Sequence, residues 1–397
     1  MDFSAISDAL KVTQLRDSKR LFARSTILWF VFAMVLLTGI GIYGLRYELR
    51  SYVFLIQFLN PHATGIVVRL ESHAVDAQEI TLPTTGGPVR SRLYFPRGVA
   101  RPEGMVLLHG IHHLGIDEPR LMNFAHAAAS NGFAVLTPEL AALADYHVDE
   151  ASIGTIGESA AWLQLRLETG PVTVVAVSFA GGLSLLAACE PQYAPHIRSL
   201  VLMGAYDSLE RVLTFLATSE AVLPDGRKEP YRAHDYGAAV FVYSDLADFF
   251  PASDLAVAHE ALRNWLWERP DEAQALLPKL SPESRATMEI LIARQIDRLR
   301  PRILNAIGAH ERELSAISPE GKLGALQTPV FVLHGSTDDI IPFTESLWLE
   351  REIPKAYLRA ALITRAFSHV DPDKRAVWTD QLRLIEFLAN VLRLADQ

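Results

Sequence analysis

Val172 to Gly182 reads VTVVAVSFAGG, an apolar and largely β-branched run that meets a serine and opens into small residues. A chain that passes from a central strand into a helix over so few residues must turn sharply. The residue at the corner, Ser178, is then pushed out above the strand's carboxyl end with its hydroxyl exposed. A hydroxyl held there can act as a nucleophile, given an imidazole to take its proton and a carboxylate to orient the imidazole. Ala176 and Ala180, two residues to either side, are small enough for the turn to close against neighbouring backbone. The N–H of Phe179 points into the same spot at a helix N-terminus, whose dipole favours a developing negative charge. Taken singly, such a serine could equally be an ordinary helix cap.

Other fragments carry the remaining chemistry. Val106 to Ile111 (VLLHGI) ends an apolar run in a His-Gly pair, followed by His112 and His113. That adjacent pair lacks the i, i+4 spacing of a helical metal site. His334 to Pro342 (HGSTDDIIP) follows the apolar run PVFVL, and Phe367 to Pro372 (FSHVDP) lies between the last strand-like run and the final helix. By themselves Asp338 and Asp339 would simply solvate a turn, and His369 would be a surface histidine.

Together the fragments resemble the α/β-hydrolase superfamily. Its nucleophile elbow is G-x-S-x-G, with alanine here in both glycine places, and HGSTDDIIP closely matches its H-G-x-x-D-x-x-V/I-P. The resemblance covers about Ile80 to Leu394, with the parts in the required order Ser…Asp…His. It implies Ser178 as nucleophile, His369 as base, and Asp338 as the supporting acid, with Asp339 and Asp207 as alternatives. The backbone N–H groups of Ile111 and Phe179 would form the oxyanion hole, and no cofactor or metal is required. The activity implied is that of a serine hydrolase cleaving a carboxylic ester or related acyl bond through an acyl-enzyme. Dienelactone-hydrolase-like and acylaminopeptidase-like features leave lactone and peptide substrates open. Acyl transfer by the same triad and a catalytically inactive binding module are the competing readings. The presence of serine, acid and histidine together argues against the latter.

The elements that must position these residues are legible too. Ala77–Thr84 and Val89–Pro96 read as a hairpin joined through Thr85-Gly86-Gly87. Strands at 105–109, 133–137, 171–177 and 197–203 then alternate with helical patterns at 118–131, 153–169 and 180–188. From residue 207 to 327 the alternation lapses into mostly helical patterns (254–269, 281–300, 303–313), and it resumes with strands at 329–333 and 357–363 and helices at 346–352 and 374–394. The expected fold is α/β: a doubly wound, mostly parallel sheet over 76–206 and 328–397, with a helical lid inserted at 207–327. The lid's Phe241, Tyr243, Phe249, Phe250, Trp265 and Trp267 could line an acyl pocket or form the lid's own core.

Half of the 397 residues are hydrophobic, enough for a sizeable core. The net charge of -9, with no basic block beyond the first 25 residues, argues against nucleic acid as a partner. The lone Cys189 excludes a disulfide within the chain. Thr26 to Leu45 carries no charge, and a helix of that length at about 1.5 Å per residue spans the roughly 30 Å of a bilayer's hydrocarbon. Lys11, Arg16, Lys19, Arg20 and Arg24 precede it, whereas only Arg46 and Arg50 follow closely. The expectation is a basic cytoplasmic N-terminus (1–25), an uncleaved transmembrane signal anchor (26–45), a juxtamembrane segment (46–75) and an extracytoplasmic domain. A small-molecule or lipid-like acyl substrate and the membrane are then the expected partners. The apolar stretch Tyr52–Leu59 is too short to span and would lie at the interface or pack on the domain.

Overall fold

The computed structural model describes residues 44–366 and 378–396. The chain divides between Arg50 and Ser51, and the unit from Ser51 onward holds the sheet, its helices and the candidate site. Helix α1 (Arg46–Leu59) and the short α2 (Ile66–Glu71) precede a hairpin of β1 (Val75–Thr84) and β2 (Gly87–Pro96). Gly87 takes φ 117 at the hairpin turn, a conformation open to glycine without steric cost. Next come β3 (Glu103–Leu108), α3 (Pro119–Ser130), β4 (Phe133–Pro138), α4 (Ala151–Leu167), β5 (Val172–Val177), α5 (Phe179–Cys189) and β6 (Ile197–Met203). After an insertion, β9 (Val330–Gly335), α13 (Thr344–Glu352), β10 (Leu358–Thr364) and α14 (Trp378–Ala395) complete the series; the insertion's own elements are taken up below.

The eight strands lie in the order β1-β2-β4-β3-β5-β6-β9-β10. Only β2 runs against its neighbours; from β4 to β10 every pairing is parallel. Because side chains alternate along a strand, each central strand feeds both faces. Val106, Leu108, Val174, Ala176, Leu202 and Val332 enter the main core with Ile156, Ala160 and Leu163 of α4 and Leu183 of α5. Met105, Thr173, Val175, Val201 and Leu333 point to the opposite face, towards α1, α3 and α14. There Phe124 of α3 meets Phe54 and Phe58 of α1 edge-on, with ring centroids 4.9 and 5.5 Å apart. Gln57 also donates to Ser130 Oγ at 3.0 Å. Of the two readings of Tyr52–Leu59, packing on the domain is the one observed.

The insertion holds α6 (Leu209–Thr218), the small hairpin β7 (Glu220–Val222) and β8 (Lys228–Pro230), α7 (Asp235–Ser244), α8 (Leu255–Leu266), α9 (Pro270–Leu276), α10 (Pro282–Ile292), α11 (Arg300–Ala309) and α12 (Glu311–Ala316). The helix expected across 281–300 is broken. It stops at Ile292, Arg294 turns left-handed at φ 56, and a new helix begins at Arg300 with Pro301 in its first turn, where the missing N–H costs nothing. The β7–β8 hairpin was not anticipated. Its strands are three residues each and carry no apolar alternation to read; Trp348 of α13 holds it by donating to Val222 O at 3.0 Å.

Close packing of α5 on the end of β6 depends on two glycines. A Cβ on Gly181 would stand 2.4 Å from Ala205 Cβ, and one on Gly182 would stand 2.4 Å from the ring of Tyr206. Gly182→Ala should therefore destabilise the fold by about 1–3 kcal/mol through overpacking. The expected reading is a lower urea midpoint with an unchanged slope; an unchanged midpoint would contradict the packing described.

Candidate active site

Ser178 sits between the last residue of β5 and the first of α5 at φ 58, ψ −130. A residue with a Cβ occupies that region only when its surroundings force it, at a cost of about 1–3 kcal/mol. The force is visible in the hydrogen bonding: Ser178 N–H donates to Met203 O of β6 at 2.8 Å, and Gly181 N–H donates to Ser178 O at 2.9 Å. Ala176 and Ala180, the small residues that the sequence places around the turn, are fully buried. The closest approach to the serine comes from the loop after β3. A Cβ on Gly110 would lie 2.9 Å from Ser178 Cβ, so only glycine lets that loop lie so near.

The Gly110 loop is pinned by a histidine. His109 is buried, and its Nε2 accepts the Leu140 N–H at 2.9 Å while its Nδ1 lies 2.7 Å from Gly110 O. A backbone N–H can only donate, so Nε2 is the acceptor and Nδ1 carries the hydrogen. Burial pushes His109 down to about 4, and the ring is neutral at ordinary pH. Ile111, the next residue but one, lines the same cavity as Ser178 and Phe179. As the first residue of α5, Phe179 has no carbonyl four residues back within the helix for its N–H to meet. The two N–H groups expected to form an oxyanion hole therefore belong to segments on either side of the serine.

Asp338 is fully buried in the turn after β9. Its Oδ1 accepts from the N–H groups of Ile340 and Ile341, both at 3.0 Å, and its Oδ2 is 3.4 Å from His334 Nε2. His334 is itself held by Ser346 Oγ at 2.6 Å and Ile341 O at 2.9 Å. Of the two alternatives, Asp339 is half-buried and accepts the His234 N–H through its backbone carbonyl at 2.8 Å. Asp207 is committed elsewhere. Its Oδ2 accepts from Arg211 at 2.6 Å, and Arg211 Nε donates to Glu345 Oε1 at 2.9 Å. Glu345 Oε2 receives the N–H groups of Asp207 and Ser208, both at 2.9 Å. Burial first, then the charge of Glu345, pushes Asp207 up to about 7. This buried network ties the first helix of the insertion to α13.

His369 lies outside the described residues, within 367–377. The chain enters that segment beside the turn that holds Asp338, because Ser336 N–H donates to Thr364 O at 2.7 Å at the end of β10.

Above Ser178, the insertion roofs a cavity of about 490 Å³. Leu209, Leu213, Leu216, Val240, Phe241 and Leu314 supply apolar wall, while His112, His113, Arg120 and Glu268 add polar groups. Of the six lid aromatics singled out in the sequence, Phe241 lines this cavity; Phe249 and Phe250 are buried within the insertion, and Tyr243 is buried against the 145–147 loop, its hydroxyl donating to Asp145 Oδ1 at 3.1 Å. Tyr146 was not foreseen. It lies fully buried at the cavity and donates to Leu266 O at 2.9 Å, joining the sheet's loops to α8. Neither Tyr146 nor Arg120 sits in a motif, so only the tertiary fold reveals them.

A family model described as "alpha/beta hydrolase fold" matches residues 105–364, from β3 to the end of β10. The chain belongs to that family. Among solved structures it is similar to a mutant of the rice cell wall degrading esterase LipA from Xanthomonas oryzae (13% identity, TM-score 0.47, covering 82% of this chain and 91% of that one). It is also similar to a hyperthermophilic esterase from the archaeon Pyrobaculum calidifontis (14%, 0.44, 88% and 90%). An esterase domain from a Rhodothermus marinus protein is a third (12%, 0.42, 80% and 96%). No curated protein matches the sequence.

The depressed His109 has a consequence for stability. On acidification the unfolded imidazole takes its proton near 6.5, before the folded one does near 4. The stability this group contributes is thus complete above about 6.5 and lost as pH falls towards about 4. Urea unfolding at pH 7 and pH 5 should show that loss in the natural protein, and a smaller one in His109→Gln. Equal losses would remove His109 from that role.

Proposed function

We propose that this protein is a membrane-anchored serine hydrolase that cleaves a carboxylic ester through an acyl-enzyme on Ser178. The observation that carries the reading is the strained, positive-φ serine at the strand-to-helix corner, with Gly110 packed against it and a partly apolar cavity above it. Backbone strain of this kind gathers at functional sites.

In this reading His369 takes the Ser178 proton as Oγ attacks the acyl carbonyl, and Asp338 orients the imidazole and stabilises its cation. The N–H groups of Ile111 and Phe179 hold the oxyanion; losing one such donor costs about 10²–10³ in turnover. His369 then gives the proton to the departing alcohol. A water attacks the acyl-enzyme, with the same histidine as base, and releases the acid. The buried, doubly hydrogen-bonded carboxylate of Asp338 supports its assignment over Asp207, whose Oδ2 is occupied by Arg211.

The apolar run 26–45, with its basic flank on the N-terminal side, supports a single span with the N-terminus cytoplasmic and the catalytic domain extracytoplasmic. Residues 26–43 lie outside the described ones, and among the described residues no helix is long and apolar enough to cross a membrane.

The full-length protein in detergent should be labelled by a fluorophosphonate probe and should hydrolyse p-nitrophenyl butyrate. Ser178→Ala should abolish both, and Asp338→Asn should lower kcat by roughly 10³–10⁴ through the wrong imidazole tautomer. Labelling that survives Ser178→Ala would take the serine out of the reaction. A folded natural protein silent to probe and ester alike would favour the binding module.

A further inference from the structure

The cavity under the insertion is not the only space that reaches Ser178. A smaller one, of about 110 Å³, is walled by Gly110, Ile111, Val177 and Ser178 on one side and by Phe58, Phe124 and Met203 on the other. Those last three side chains also line a further cavity, of about 300 Å³, on the sheet face opposite the main core. Its floor includes Thr173, Val175 and Val201; Leu384, Ile385 and Leu388 of α14 stand across it from Phe54 and Leu55 of α1.

The contrast between the two sheet faces is informative. On the α4–α5 face, the central strands join one continuous buried core. On the other face α14 packs on the sheet where Phe387 meets Phe331 at 6.0 Å, but over Thr173, Val175 and Val201 a space remains that is lined almost wholly by carbon. Its volume is that of a ligand pocket. Phe58, Phe124 and Met203 are the side chains that stand between it and the space at the serine, and its wall α1 follows directly in sequence on the apolar run 26–45.

We propose that the cavity between α1 and α14 is a hydrocarbon-chain subsite. The tail of a long-chain ester whose carbonyl sits at Ser178 passes Phe58, Phe124 and Met203 and lodges there. The inference rests on Ser178 being the nucleophile for its catalytic readout, and on the cavity alone for its binding readout. The substrate class is then an ester of a long, unbranched chain, with the other half of the molecule in the space beneath the insertion. Each methylene seated in the cavity is worth up to about fourfold in kcat/KM.

The test fills the cavity from its α14 wall with Leu388→Trp and, independently, Ile385→Trp in the full chain. The ratio of kcat/KM for p-nitrophenyl laurate over butyrate should fall about tenfold or more in each. A ratio is insensitive to any loss of folded protein. In parallel, Ser178→Ala protein should bind the fluorescent long-chain fatty acid cis-parinaric acid saturably, and adding either tryptophan should weaken that binding about tenfold. Unchanged ratios together with unchanged binding overturn the proposal and leave the chain under the insertion. Absence of saturable binding overturns it as well. Binding that the tryptophans weaken, in a protein that hydrolyses no ester, retains the subsite and removes the serine reading instead.

Discussion

A residue with a Cβ does not settle at φ 58 and ψ −130 of its own accord, and the architecture around Ser178 amounts to what holds it there. On one side β5 is locked between β3 and β6 in the middle of a parallel sheet. On the other, α5 must lie close to the end of β6, an approach that only Gly181 and Gly182 permit against Ala205 and Tyr206. The chain has one residue in which to change from strand to helix, so the strain falls on that residue. Hydrogen bonds to Met203 O and from Gly181 N–H repay part of it.

The same economy of space shapes the loop opposite. Gly110 can approach the serine because it has no side chain, and His109 fixes where the loop then goes by gripping Gly110 O and the Leu140 N–H at once. A neutral imidazole suits that position, since a protonated ring would meet the Leu140 N–H with a second donor. The aspartate after β9 is handled differently. Asp338 is buried within its own turn, whose backbone N–H groups supply the polarity that water would have given. Asp207, equally buried, relies on Arg211 and serves instead to join α6 to α13.

The insertion and the N-terminal helix give the serine two dissimilar neighbourhoods. Beneath the insertion the space mixes apolar wall with histidine, arginine and glutamate. Behind the Gly110 loop lies a smaller space, and two phenylalanines and a methionine stand between it and a larger apolar one over the sheet. α1 is the element that makes this difference. Its Phe54 and Phe58 clamp Phe124 of α3, and with α14 it encloses space that the sheet alone would leave open to solvent.

Much of this was legible in order along the chain. Hydrophobic period and glycine stops locate the sheet strands to within a residue or two, because buried parallel strands read as unbroken apolar runs. The serine corner, the His-Gly pair and the HGSTDDIIP turn stand out because local backbone geometry demands particular residue types there. Three things were decided only in three dimensions. The glycines that make the serine corner possible are Gly110, Gly181 and Gly182, since close approach depends on which distant backbone arrives. Asp207 and Asp338 each stand a few residues beyond an apolar strand, and only packing shows Arg211 bound to the first and the N–H groups of its own turn donating to the second. The spaces on either side of Ser178 depend on how α1, α14 and the inserted helices lie across the sheet, and no local pattern encodes the gap between two elements far apart in the chain.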